Sequence, residues 1–97
     1  MRQVIHGDVV AVARAVVDLP PACRVSEIRR VLECAHAADL YRKHTGRSHP
    51  SWGNGSLAGA VMGKAAKVTE PFLSDLRYLE AMAAVIETLL DWKHRKT

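Results

Sequence analysis

Apolar residues recur at helical spacing over four stretches of this chain, and nothing alternates with period two for long enough to suggest a strand. The first stretch runs from Asp8, a residue suited to an N-cap, to about Leu19. Val9, Val12, Val16 and Leu19 share one face, Val10, Ala13 and Val17 flank it, and Arg14 and Asp18 lie opposite. Pro20 and Pro21 stop this helix, since neither can donate a helical N–H. The second stretch begins near Arg24 or Ser26 and reaches Thr45, with Ile28, Val31, Leu32, Cys34, Ala35, Ala38 and Tyr41 on its apolar side. Gly46 is placed to close it in a left-handed conformation.

The segment 46–55 is a loop, longer than the roughly two to eight residues that usually join packed helices. Pro50 biases His49 toward extended backbone, and Gly53-Asn54-Gly55 is turn chemistry. Ser56 is a suitable N-cap for a short third helix to about Lys67. Gly55, Gly59 and Gly63 recur there every fourth residue and form a smooth strip against which another helix can pack. A mid-helix glycine costs about 1 kcal/mol relative to alanine, so close packing or ligand access is expected to offset it. The last helix starts near Ser74 or Asp75, or alternatively at Pro71, and runs to about His94. Leu76, Leu79, Met82, Ala83, Val85, Ile86, Leu89 and Leu90 give it a wide apolar stripe; Arg77, Glu80, Ala84, Glu87 and Asp91 form its wet side. The expected architecture is all-α and a single domain over 1–97. It is a compact bundle of four helices at about 8–19, 25–45, 56–67 and 74–94, with the last as spine and the loop 46–55 packed over one end.

Composition agrees with this. A chain of 97 residues supports one core, and 48% apolar with 25% charged residues is ordinary for a globular domain. Cys23 and Cys34 are 11 positions apart, about 16 Å along one helix, too far for a disulfide. Two free thiols point to a reducing cytoplasm. Met1 to Gly7 carries no signal-peptide pattern, and no apolar run is long enough to span a membrane.

Charge changes the picture more through its placement than through its net value of +4. Between Asp39 and Glu70 there is no acidic residue, while Arg42, Lys43, Arg47, Lys64, Lys67, His44 and His49 all fall there. The basic tail Lys93-His94-Arg95-Lys96 is explained by a helix C-terminal dipole.

Candidate chemistry gathers in the same segment. Asp39 and Arg42 fall in or beside the apolar sector of the second helix, three residues apart. They form either a structural ion pair anchoring the loop or a guanidinium aimed at an anion. Gly53, Asn54, Gly55 and Ser56 lead into a helix N-terminus, a setting that favours anions, with Arg47 and His49 just upstream. The bland alternative is a tight turn and a capped helix; neither GxxxxGK[ST] nor GxGxxG is matched. Trp52 is either a lid on the core or an exposed contact. Glu33 and His36 make half of a bundle metal motif without its other half, so no metal or other cofactor is expected. Cys34 and His36 point apart, Cys23 has no completing partner, and no catalytic residue is assigned. A helix-turn-helix is disfavoured because Ser56-Leu57-Ala58-Gly59-Ala60 offers nothing to base edges.

The run Ala38-Asp39-Leu40-Tyr41-Arg42-Lys43-His44-Thr45-Gly46-Arg47-Ser48-His49-Pro50-Ser51-Trp52-Gly53-Asn54-Gly55-Ser56-Leu57 resembles a family of short uncharacterised proteins of marine-type alphaproteobacteria, as does Glu70-Pro71-Phe72-Leu73. The resemblance implies a bacterial cytoplasmic protein and carries over no activity, ligand or partner.

Three functions compete. The first is a non-enzymatic binding or adaptor module that holds a protein partner or an anionic ligand through Asp39, Arg42, Lys43, Arg47, His49, Trp52 and the Gly53–Ser56 turn. The second is sequence-nonspecific contact with a nucleic-acid backbone. The third is a small enzyme or metal protein, which needs Asp39, Arg42 and His49 to converge. A homodimer through the glycine strip or Leu40 is also open.

Overall fold

The computed structural model describes residues 2–61 and 71–96. Among these residues there are four helices and no strand: α1 His6–Val16, α2 Pro21–Thr45, α3 Leu57–Ala60 and α4 Leu76–Lys96. The all-α bundle expected from periodicity is present. The continuation of the third helix to Lys67, with Gly63, Lys64 and Lys67, lies outside the described residues.

The helix boundaries correct the sequence expectation in three places. α1 begins two residues earlier, with Ile5 as N-cap, so Asp8 sits in the first turn and its Oδ2 accepts a hydrogen bond from the Ile5 N–H at 3.1 Å. A carboxylate at this position answers one orphan donor and complements the positive end of the helix. α1 also ends at Val16, short of Leu19. α2 starts at Pro21, four residues before the expected position, because proline is suited to the first helical residue, where no N–H is needed. The proline pair therefore ends one helix and begins the next.

That junction leaves the last carbonyls of α1 without helical donors, and a buried cation supplies them. Arg24 is only 4% exposed. Its Nη2 donates to the Val17 carbonyl at 2.9 Å and its Nε to the Val16 carbonyl at 3.3 Å. Arg77 of α4 adds a third bond, Nη2 to Val17 O at 3.1 Å. Guanidinium groups at a helix C-terminus satisfy its acceptors and offset its negative end.

The core is built by Val12, Ala13 and Val16 of α1; Ile28, Val31, Leu32 and Ala35 of α2; Leu57 and Val61 at α3; and Tyr78, Ala81, Met82 and Val85 of α4. α4 packs on α1 and α2, and α3 packs on the same two helices. The wide stripe of α4 is used unevenly. Its inner face is Tyr78, Ala81, Met82, Val85 and Thr88, whereas Leu76, Leu79, Ala83, Ile86 and Leu90 are exposed. Tyr78 is fully buried although it stood outside the expected stripe. The start of α4 is as expected: Asp75 Oδ1 accepts from the Tyr78 N–H at 3.2 Å. Pro71 is not helical.

Candidate functional site

α2 ends at Gly46, whose φ of 73° and N–H bond to Arg42 O at 2.7 Å close the helix. Glycine takes this left-handed conformation without a Cβ clash. The chain then reverses and lays His49 beside the last turn of α2. His49 N–H donates to Gly53 O at 2.7 Å, and Gly53 N–H donates back to His49 O at 3.1 Å. Inside this small loop the His49 Nδ1 accepts from the backbone N–H groups of Ser51 and Trp52, at 3.0 and 3.1 Å. An imidazole nitrogen that accepts twice cannot carry a proton, so the proton of the neutral ring sits on Nε2.

The same ring organises the aromatic side chains. Trp52 stacks on His49 with centroids 4.5 Å apart and planes 7° from parallel. Tyr41 of α2 meets His49 edge-on at 5.1 Å. The result is a Tyr41–His49–Trp52 stack in which Tyr41 is exposed and the other two are half-buried. Arg42, Lys43, His44 and Arg47 around it are all exposed. Trp52 is therefore part of a surface cluster, neither a core lid nor a lone projection. Tyr41 was placed on the apolar sector of its helix by periodicity alone. Its partner is eight residues away across a left-handed glycine, a reversal that helical spacing does not reveal.

Asp39 does not pair with Arg42, as the three-residue spacing suggested. It is buried, and its Oδ2 meets Lys43 Nζ at 3.1 Å, one helical turn on. Arg42 points to solvent and makes no ion pair among the described residues. Asp39 also forms the floor for the glycine turn. A Cβ at Gly55, whose φ is 97°, would stand 2.8 Å from the Asp39 Cβ. Gly59 likewise leaves room for the Asn54 and Ser56 side chains. Two members of the glycine strip thus serve close approach, between the loop and α2 at one and within the α3 turn at the other.

The turn into α3 has its own anion. Asn54 Oδ1 accepts from the Ser56 N–H and hydroxyl, at 3.1 and 2.8 Å, and Ser56 Oγ accepts from the Gly59 N–H at 3.0 Å. The Ala58 N–H donates to Asp8 Oδ1 at 3.1 Å, and the Arg2 N–H donates to Gly55 O at 3.1 Å. Asp8 therefore occupies the place where an external anion is expected from the sequence. Its role was invisible locally because the two residues are 50 positions apart. Gly53, Asn54, Gly55 and Ser56 act as framework, and the outward-facing set is Tyr41, Arg42, Lys43, Arg47, His49 and Trp52.

Asp39, Arg42 and His49 do not converge: the first is buried, the second points outward, and the third is engaged by backbone. Among the described residues no group of three His, Cys, Asp or Glu side chains could hold a metal ion. Cys23 and Cys34 are both free and both on α2. Among the described residues no helix is long and apolar enough to cross a membrane.

No curated protein and no solved structure matches the chain. A family profile does match, over residues 2–89, which take in all of α1, α2 and α3, the loop and most of α4. The chain belongs to the family described as Domain of unknown function (DUF7742).

Proposed function

We propose that this protein is a non-enzymatic binding module that holds an acidic segment of a protein partner on the platform formed by Tyr41, Arg42, Lys43, Arg47, His49 and Trp52. The observation that carries this is the solvent-facing aromatic stack with exposed cations around it, on a stretch from Leu40 to Thr69 with no carboxylate. Tyr, Trp and Arg are the side chains that most often supply binding energy at interfaces. A loop held by the Arg2 N–H at Gly55 and by its own His49 imidazole is pre-organised, so less ordering entropy opposes association. Two free thiols suit a reducing compartment.

A second function draws on the same stack. Aromatic faces beside cations suit single-stranded nucleic acid, with sequence-independent affinity that falls steeply with salt. One experiment separates the two. With Trp92 changed to Phe, Trp52 emission reports the site during titration with an oligoglutamate peptide and, separately, with a single-stranded oligonucleotide. The peptide is expected to shift the emission, and Arg42→Ala with Arg47→Ala to weaken binding at least about tenfold. Response to the oligonucleotide alone favours the second function; response to neither removes both.

A further inference from the structure

α4 carries two apolar stripes, and the bundle uses one. The unused stripe is Leu76, Leu79, Ala83, Ile86 and Leu90, with steps of three, four, three and four residues. Leu76, Leu79, Ile86 and Leu90 are 67%, 48%, 48% and 54% exposed. This is the spacing of a two-helix seam, not of the broader face that packs a helix onto a globular core. Of the ten exposed large apolar residues described, four lie on this stripe and three more, Ile5, Phe72 and Leu73, at its two ends. Apolar side chains gathered in this way mark an interface.

We propose that two copies of the chain pair antiparallel through this outer face of α4. Three features favour a second copy as the occupant. The first is shape. Phe72, Leu73 and Leu76 project at the N-terminal end of α4. At the other end Val4, Ile5, Val9, Ile86, Leu89 and Leu90 line a cleft of about 530 Å³. A ridge and a cleft at opposite ends of one surface are self-complementary under a two-fold axis. The second is charge. Asp75 flanks the stripe at its ridge end, and Lys93 flanks it on the same side at the cleft end. Antiparallel pairing sets opposite charges near each other, whereas parallel pairing aligns like with like. The third is spacing. Leu79 falls opposite Leu90 of the other copy, and Ala83 opposite Ile86, over a seam about 21 Å long. The small Ala83 near the centre lets the axes approach closely. This inference is independent of the binding platform, which is built on α2 and the loop. It also moves the dimer contact away from the glycine strip, whose Gly55 and Gly59 are occupied within the chain.

Light scattering on the intact protein measures the oligomer directly. The expected molar mass is twice 10.7 kDa. Leu79→Glu with Ile86→Glu is expected to give a monomer with unchanged far-UV circular dichroism, since both side chains face solvent within one copy. Leu40→Glu, an equally exposed change on α2, leaves the dimer intact. Orientation is read by disulfide cross-linking in a Cys23→Ser, Cys34→Ala background. Chains carrying Leu79→Cys and Leu90→Cys are expected to cross-link when mixed and not alone. A monomeric wild-type protein, a dimer that survives both glutamates, or cross-linking of each cysteine chain with itself would overturn the proposal.

Discussion

The carboxylate of Asp8 joins two helix starts, accepting from Ile5 on one oxygen and from Ala58 on the other. Removing it leaves two sheltered N–H groups unpaired, each of which carries a desolvation penalty. Asp8→Ala is expected to lower unfolding stability by about 3 kcal/mol in a urea titration. The loss should include the loop, visible as faster amide exchange at Gly55 and Ala58. Gly55 is the second sensitive residue. Its φ of 97° and the 2.8 Å approach to Asp39 leave no place for a Cβ. Gly55→Ala is expected to destabilise by more than about 2 kcal/mol, measured by thermal unfolding. His49 is the third. His49→Ala removes the acceptor for two loop N–H groups and the surface under Trp52, so Trp52 emission should shift to longer wavelength with little change in helix content.

At the level of the elements, the helices were legible, as were the end of α2 at Gly46 and the start of α4 at Asp75, but the ends of α1 and the start of α2 were not. Val12, Val16, Ile28, Val31, Leu32 and Val85 recur at spacings that only a helix can bury together, and all are buried. The junction at Pro20-Pro21 was misplaced because a proline ends one helix and starts another with the same missing N–H. The core-facing stripe of α4 was drawn too wide for a different reason. Spacing identifies apolar positions on a helix but not which of two adjacent stripes meets the core. Tyr78 settled that in favour of its own side. The platform was legible as a basic, tryptophan-bearing loop, because the absence of acids is a property of sequence. Its internal wiring was not, since Arg2 and Tyr41 reach the loop from elsewhere in the chain. Arg24 gives a test at this scale. Arg24→Met keeps most of the volume but removes one donor from each of the Val16 and Val17 carbonyls, which keep Leu19 N–H and Arg77, and is expected to cost about 1 kcal/mol, read by urea unfolding.

Across the whole molecule, two surfaces are assigned to different elements. The cationic platform belongs to the C-terminal end of α2 and the loop that follows, and the apolar seam belongs to the outer side of α4. Substitutions at one should leave the other unaffected, as distant sites without shared contacts behave additively. The Leu79→Glu, Ile86→Glu protein is therefore expected to bind the oligoglutamate peptide within about twofold of the wild-type affinity, measured by the same fluorescence titration.

A ¹H–¹⁵N spectrum recorded with and without the acidic peptide bears most directly on the assigned contact zone. Movement is expected at the amides of Tyr41 to Trp52 and at the Trp52 indole, suppressed by Arg42→Ala with Arg47→Ala. Resonances that stay fixed there, or that move instead along α1 and the cleft beside Ile5, would contradict it.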